Sequence, residues 1–225
     1  MTRLAGIVLA AGEGRRMGGT KALIELEGAS LVEHHVSRLA EIGCTSIVVV
    51  ARHTAADVVR SVVGRSREVR VEGVTTNSQA ASLAAGLRVL DAAGSAHDDV
   101  IIVTPVDMLP ASSETHRALL ACLDGSIVAV TPLHAGRGGH PVILRRQLLA
   151  PYEAARDDEP PSLRDVLAGA MESRRRVEVD DPRVLGDLDT PADLRALRGG
   201  AEERDVAPGG ASAHRLSKET RSSDV

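Results

Sequence analysis

Aromatic side chains are almost missing from this sequence, which has no Phe, no Trp and a single Tyr, Tyr152. Proteins that bind single-stranded nucleic acid stack bases on aromatic rings, and readers of methylated lysine enclose it in aromatic cages. Both classes are therefore disfavoured. The formal net charge of −4 also argues against a nucleic-acid partner. We expect a core built from Ala, Val, Leu and Ile.

Cysteine and long hydrophobic runs are also scarce. Cys44 and Cys122 are the only cysteines, too few for a thiolate zinc site or a disulfide framework. No apolar run approaches the roughly 20 residues that span a bilayer, so no membrane partner is expected. The apolar segment 4–11 leads directly into a glycine loop with two arginines, which favours a buried strand over a signal sequence. A reducing, cytoplasmic setting is the default expectation.

The patterning predicts an α/β fold. With 225 residues, 43% of them hydrophobic and 26% charged, the chain has a globular composition. Short β-branched runs alternate with amphipathic segments, which predicts three α/β/α layers around a mostly parallel sheet. The predicted strands are residues 4–9, 46–51, 100–104 and 126–131, and the predicted helices are 30–42, 55–63, 82–93 and 113–123.

The second half of the chain is less regular. It contains a glycine-rich bend at residues 136–139, a strand candidate at 174–179 and a last helix from Pro191. After Gly199 the composition turns to Gly, Ser and charged residues, which is typical of disorder. We therefore predict one domain over residues 1–198 and a disordered tail over 199–225.

A glycine-rich loop follows the first predicted strand, with the sequence LAAGEGRRMGGTK over residues 9–21. Loops at this place in α/β sheets bind ligands. Glycines let the backbone approach a ligand closely, and consecutive N–H groups form an anion-binding nest. Arg15, Arg16 and Lys21 add three positive charges within seven residues. The loop is predicted to bind a polyphosphate.

Two common phosphate-binding motifs do not match this loop. The dinucleotide motif G-x-G-x-x-G requires a third glycine where Met17 stands, and no helical pattern follows until Ser30. The P-loop motif requires Lys before Ser or Thr, whereas Gly14 and Gly19 are followed by Thr20 and Lys21 in the reverse order.

The pattern L-A-A-G-x-G-x-R-M-G-x-x-K resembles the signature of the MobA-like nucleotidyltransferases, most closely the molybdenum cofactor (molybdopterin) cytidylyltransferases. The similarity extends over residues 4–198 through five motifs in the expected order. It implies a Rossmann-like enzyme that uses Mg²⁺ to transfer CMP from CTP to a phosphorylated acceptor, molybdopterin, and releases pyrophosphate. Guanylyltransferase relatives have L-A-G-G and an acidic residue before the lysine, so Ala11 and Thr20 favour the cytidine branch.

The resemblance also implies roles for individual residues. Arg16 and Lys21 would hold the triphosphate, and with Asp107 they form the expected catalytic set. Asn77 and Ser82 would lie near the base and ribose. From the residues alone, Asn77 ends a strand and Ser82 caps a helix. The loop backbone that would meet the nucleotide belongs to Leu9, Ala10, Ala11, Gly12 and Gly14.

Aspartates at two places are candidate metal ligands. Asp107 directly follows an apolar strand, and Mg²⁺ is commonly held by one or two carboxylates together with substrate phosphates. Asp187 and Asp189 alternate along a predicted strand and are expected to point to opposite faces. The resemblance favours Asp187 as the partner of Asp107, with Asp189 in a structural role.

The segments that would bind the acceptor match the family pattern only in part. The segment Gly138-Gly139-His140-Pro141-Val142 matches a family motif, which implies that Gly139 and His140 border the acceptor. Relatives usually continue with a segment around G-D-x-G-x-R. Here residues 157–165 keep the acidic start and Arg164 but lack the glycines. A sugar phosphate or an alcohol phosphate therefore stays open as the acceptor. A guanylyltransferase activity, with GTP in place of CTP, also stays open.

Two other functional classes are less consistent with the sequence. A non-catalytic nucleotide-binding module would keep the glycine loop and lose the metal aspartates, yet Asp107 and Asp187 are present. An NAD-linked oxidoreductase would carry an acidic residue at the end of the second strand, where Arg52 and His53 stand instead.

Overall fold

A computed structural model describes residues 2–12, 14, 17, 19–64, 68–76, 78–94, 99–155 and 159–197. Arg15, Arg16, Asn77 and the predicted tail over 199–225 lie outside the described residues. Within the described part of the chain, every helix is too short or too polar to cross a membrane.

The chain alternates between strands and helices, as the patterning predicts. The strands are β1 (Leu4–Ala10), β2 (Glu25–Leu26), β3 (Ala29–Ser30), β4 (Cys44–Arg52), β5 (Val69–Val74), β6 (Val100–Pro105), β7 (Ala129–His134), β8 (Arg137–Gly138), β9 (Val142–Arg145) and β10 (Arg174–Glu178). The helices are α1 (Leu31–Glu41), α2 (Ala56–Val63), α3 (Gln79–Ala92), α4 (Ser113–Ala121), α5 (Ala150–Ala154), α6 (Leu163–Gly169) and α7 (191–197).

The main sheet has the strand order β10-β7-β9-β6-β1-β4-β5, and β8 pairs with β7. Along this order every strand has the same direction except β9, which is antiparallel to both β6 and β7. The short antiparallel β8 follows a two-residue turn at Ala135 and Gly136, both with positive φ, as hairpin turns require. The predicted mostly parallel sheet is confirmed.

Two predicted boundaries are wrong for local reasons. The strand predicted over 126–131 begins only at Ala129, because the Asp124 carboxylate accepts hydrogen bonds from Ser126 and Ile127 and fixes a turn there. Helix α3 begins before Ser82. Its N-cap is Ser78, whose Oγ accepts the Ala81 N–H, while the Ser82 hydroxyl donates to the Ser78 carbonyl from inside the first turn.

Aliphatic side chains cover both faces of the sheet, as the composition predicts. One face packs against α1, α2 and α4 through residues such as Leu39, Ile47 and Leu119. The other face packs against α3, α5 and α6 through Ile7, Leu83, Val103, Leu144 and Leu167, among others. Glycine allows a close approach on this second face: a Cβ at Gly86 would lie 3.0 Å from Ile7 Cγ2, so α3 packs directly on β1.

Helix α1 supports the loop that follows β6. The helix begins with a capping box between Ser30 and Glu33. On its inner face the fully buried His35 places Nε2 2.9 Å from the Met108 carbonyl oxygen, to which it donates as the neutral tautomer. Burial lowers the pKa of His35 to about 4. Protonation of His35 therefore opposes folding.

We expect acid to weaken the fold through His35. The folded pKa lies below that of a free histidine, so the unfolded chain takes up a proton first as the pH falls through about 6.5. The free energy of unfolding should decrease by about 2–3 kcal/mol between pH 7.5 and 4.5 from this group alone. Urea unfolding of the wild type and of His35→Gln at both pH values measures this change in the free energy of unfolding. Gln can still donate to Met108 but does not titrate, so equal pH dependence in the two proteins would contradict the assignment.

Candidate active site

The glycine loop leaves β1 at the carboxyl edge of the sheet. The Met17 N–H donates to the Gly14 carbonyl at 2.9 Å, and Gly14 has a φ of +57°. A Cβ on Gly14 would overlap the Gly19 carbonyl oxygen, so this turn requires glycine. Described residues of the loop border a cavity of about 220 Å³, whose lining is Leu9, Ala11, Gly12, Gly14, Lys21, Gln79, Ser82, Val106 and Asp107.

Most of the predicted nucleotide-binding residues meet in this cavity. Ala10 is the exception among those described, because its side chain is buried in the core next to the cavity lining. Gln79 lines the cavity and was missed by the sequence reasoning, which began the helix at Ser82 and left Gln79 in a loop. An N-cap at Ser78 would have placed Gln79 in the first helical turn.

A backbone connection brings the predicted metal aspartates together. Asp107 follows β6, and Val106 donates to the Leu9 carbonyl at 2.9 Å. Leu109 donates to the Gly186 carbonyl at 2.7 Å, and Leu188 donates to the Asp107 carbonyl at 2.9 Å. These bonds join two segments about 80 residues apart. One carboxylate oxygen each of Asp107, Asp187 and Asp189 lies within 4.8 Å of the others.

The prediction that Asp187 and Asp189 point to opposite faces is wrong. Asp187 forms only an isolated bridge with Met108, and no strand continues through Asp189. Instead, the chain turns at Asp189 towards α7. There the Asp193 carboxylate accepts the N–H groups of Asp189 and Thr190 at 3.1 and 2.7 Å. Because strand alternation does not apply, both aspartates face Asp107.

Lys21 lies between the glycine loop and the aspartates. Its Nζ donates to Asp107 Oδ2 at 3.0 Å and also to Asp189 Oδ1, and its side chain is only 13% exposed. Burial lowers the pKa of Lys21, but the hydrogen bonds and charges of the two carboxylates outweigh it and raise the pKa above its usual value. Lys21 is therefore a fixed positive charge at neutral pH.

The three carboxylates carry more negative charge than Lys21 neutralises. Burial, followed by the charges of Asp189 and Asp107, raises the pKa of Asp187. Converging carboxylate oxygens without nitrogen or sulfur ligands are the donor set that suits a hard divalent cation such as Mg²⁺ or Mn²⁺. The residues present therefore fit such an ion, with Asp189 as a third candidate ligand beside Asp107 and Asp187.

A larger cavity of about 710 Å³ opens beside the first and shares Leu9 and Gln79 with it. Both Gly139 and His140, predicted to border an acceptor, line this larger cavity. Gly139 is tightly constrained, because a Cβ there would overlap the Val184 carbonyl oxygen. The His140 N–H donates to the same carbonyl at 2.9 Å. Burial lowers the pKa of the His140 ring, so the imidazole is neutral at pH 7.

Comparison with known proteins agrees with this geometry. The family described as "MobA-like NTP transferase domain" matches residues 6–177. A curated protein from Opitutus terrae, named "Probable molybdenum cofactor guanylyltransferase", is 39% identical over 105 residues. That alignment covers 47% of this chain and 48% of the relative, so the similarity extends over about half of that protein.

Solved structures share the fold at low sequence identity. A nucleotidyl transferase from Methanothermobacter has a TM-score of 0.70 and 22% identity, with 91% of this chain and 100% of that chain covered. A protein from Mycobacterium tuberculosis H37Rv, solved in complex with manganese, has a TM-score of 0.65 and 20% identity, with 87% and 98% covered. These matches confirm the Rossmann-like fold.

We expect each of the three aspartates to contribute to metal affinity. Asp107→Asn, Asp187→Asn and Asp189→Asn each remove one negative charge from the cluster and should weaken Mn²⁺ binding by at least about tenfold. Isothermal titration calorimetry with Mn²⁺ alone measures this effect. Asp57→Asn, which removes an exposed carboxylate on α2, is the matched control and should bind as the wild type does. Wild-type affinity in Asp187→Asn or Asp189→Asn would exclude that residue as a ligand.

Proposed function

The chain belongs to the MobA-like NTP transferase family, and from this premise we propose that it transfers a nucleoside monophosphate to a phosphorylated small molecule. The observation that carries the proposal is a cavity lined by the glycine loop, Lys21 and Asp107, which adjoins a second, larger cavity. The carboxylates of Asp187 and Asp189 converge on Asp107 at this site. A triphosphate and an acceptor need two such adjoining spaces.

The glycine loop and Lys21 provide the positive side of the proposed triphosphate site. Backbone N–H groups of a glycine loop at the end of a strand can donate to phosphate oxygens. The Lys21 ammonium has three N–H donors, and two of them are directed to Asp107 and Asp189. The third is free to donate to a phosphate oxygen. Arg16 stays a predicted second cation for the same phosphates.

The aspartates provide the proposed metal site. A Mg²⁺ ion held by Asp107, Asp187 and Asp189 would neutralise the charge that phosphoryl transfer develops on the phosphate oxygens. The convergence of three carboxylates beside the glycine loop supports this role.

The proposed reaction needs no protein nucleophile. The acceptor phosphate is already ionised at neutral pH, so one of its oxygens can attack the α-phosphorus directly. A new P–O bond forms, the bond to the β-phosphate breaks, and pyrophosphate leaves with the electron pair. The protein contributes by aligning the two phosphates and by holding Lys21 as a preorganised charge. His140 lies in the larger cavity as a neutral ring, consistent with a positioning role.

We propose CTP as the nucleotide and molybdopterin as the acceptor, each against a stated alternative. Ala11 and Thr20 support CTP, whereas the guanylyltransferase name of the Opitutus relative supports GTP. The molybdenum cofactor in that name supports a molybdopterin acceptor. The segment 157–165 lacks the glycines usual in cytidylyltransferases, which supports a sugar or alcohol phosphate instead.

Thermal unfolding should separate these nucleotides. We expect CTP with Mg²⁺ to raise the melting temperature most, by roughly 5–10 °C at 100 times the dissociation constant, with a smaller shift when Mg²⁺ is withheld. GTP, ATP, UTP and NAD⁺ are the comparison ligands, and a dye reports unfolding because the chain has no Trp. A larger shift with GTP would overturn the base preference alone. No shift with any triphosphate would contradict the proposed function.

Loss of either central charge should slow turnover. Lys21→Met and Asp107→Asn each remove a preorganised charge next to the proposed phosphates, and we expect the rate of pyrophosphate release to fall by about 10²-fold or more. A coupled pyrophosphate assay with the nucleotide chosen by thermal unfolding measures the rate. Asp57→Asn should retain the wild-type rate. Near-normal turnover in Lys21→Met would contradict the assigned role.

A further inference from the structure

The larger cavity is strongly cationic. Of the residues that line it, three are arginines, Arg164, Arg174 and Arg176, and none is an aspartate or glutamate in the described part of the chain. Its apolar lining includes Leu83, Val103, Val142 and Leu167. The aspartates that carry the proposed metal site do not line this cavity, and Asp107 lines the smaller one. The two spaces therefore differ in charge.

Strand β10 explains why two of the arginines face this space. Arg174 pairs in register with Ala129 and Arg176 with Thr131, so both side chains lie on the face of the sheet that α6 covers. Arg175, between them, points to the other face, where its Nη2 lies 3.3 Å from Asp124 Oδ2. Because side chains alternate along β10, Arg174 and Arg176 face the cavity and Arg175 does not.

The hydrogen-bonding capacity of these arginines is largely unused. Arg174 donates from Nη2 to Thr131 Oγ1 at 3.1 Å, but its Nε is buried and has no hydrogen-bond partner in the described structure. Burial and the charge of Arg176 lower the pKa of Arg174. The side chains of Arg164 and Arg176 form no hydrogen bond or ion pair with any other described residue. The buried Arg174 Nε without a partner and the repulsion between Arg174 and Arg176 are both unfavourable, so an anionic ligand would relieve them.

We infer that Arg164, Arg174 and Arg176 bind a second anionic group of the acceptor, separate from the phosphate that reacts. The inference rests on the proposed function, which places the reacting phosphate beside Lys21. The acceptor class that follows is a phosphate ester with a further oxyanion, either a carboxylate or a second phosphate. This class favours the stated alternative of another phosphorylated acceptor over molybdopterin, whose single phosphate is the one that reacts. Guanidinium groups suit such oxyanions because they can donate two parallel hydrogen bonds. An acceptor whose remaining portion is neutral, such as a simple sugar phosphate, would leave the arginines without a partner.

Inorganic phosphate is a direct probe of the arginine site. Thermal unfolding is followed against phosphate concentration, with and without saturating triphosphate and Mg²⁺, and against chloride at equal ionic strength. We expect phosphate to stabilise the wild type beyond chloride even with triphosphate present. The apparent affinity should fall by about tenfold or more in Arg176→Met and in Arg174→Met. Arg175→Met, the neighbour that faces away, should behave as the wild type does.

The exposed position of Arg176 keeps this test informative if Arg174→Met does not fold. Stabilisation no greater than with chloride, or equal affinity in Arg176→Met and Arg175→Met, would overturn the inference. Its failure is distinguishable from failure of the proposed function. A triphosphate shift without the phosphate effect rejects the arginine site alone, whereas the phosphate effect without a triphosphate shift rejects the nucleotidyltransferase proposal.

A matched pair of phosphate esters tests the role in acceptor binding. Glycerol 3-phosphate and 3-phosphoglycerate share a three-carbon frame and a phosphate, but only the second has a carboxylate. In the presence of triphosphate and Mg²⁺, 3-phosphoglycerate should stabilise the wild type more, and Arg176→Met should remove the difference. Equal shifts from the two esters, including no shift from either, would contradict recognition of a second anion.

Discussion

The site depends on one backbone connection between distant parts of the chain. Hydrogen bonds from Leu109 to Gly186 and from Leu188 to Asp107 join the end of β6 to the segment before α7. Without these hydrogen bonds, electrostatic repulsion between the three carboxylates would keep Asp187 and Asp189 away from Asp107. Lys21 offsets part of that repulsion by bonding two of the three. The main sheet, the glycine loop and these backbone hydrogen bonds together hold three like charges close to one another, as a cation-binding site requires.

Charge is separated along the surface of the sheet. Close to β1 and β6, Asp107 and Lys21 line a small cavity with the glycine loop, and Asp187 and Asp189 lie next to Asp107. Farther along, β10 and α6 contribute arginines to a larger cavity, and none of its described lining residues is a carboxylate. With a divalent cation on the aspartates, a ligand with negative groups at both ends would be stabilised in both cavities, which share Leu9 and Gln79. Such an arrangement selects for the length and charge of a ligand as well as for its phosphate.

Local patterns made much of the fold predictable. Apolar β-branched runs identified the central strands, and the glycine loop, Lys21 and Asp107 could be placed at one sheet edge because parallel strands end there together. Features set by individual side-chain hydrogen bonds, or by which face of a strand is covered, could not be obtained from these patterns. The turn at Asp189, fixed by Asp193, removed the expected strand alternation, and the cap at Ser78 moved the start of α3. The roles of Arg174 and Arg176 depend on which face of β10 meets α6, which the sequence of a short edge strand does not reveal.

The most direct test of the proposed site is a crystal structure with Mn²⁺ and a non-hydrolysable triphosphate analogue. We expect an anomalous manganese peak coordinated by Asp107, Asp187 and Asp189 together with phosphate oxygens. We also expect the phosphates to lie along the loop from Gly12 to Lys21. A manganese ion bound elsewhere, or a triphosphate bound to the arginines of the larger cavity, would show that these residues do not form the metal and triphosphate site.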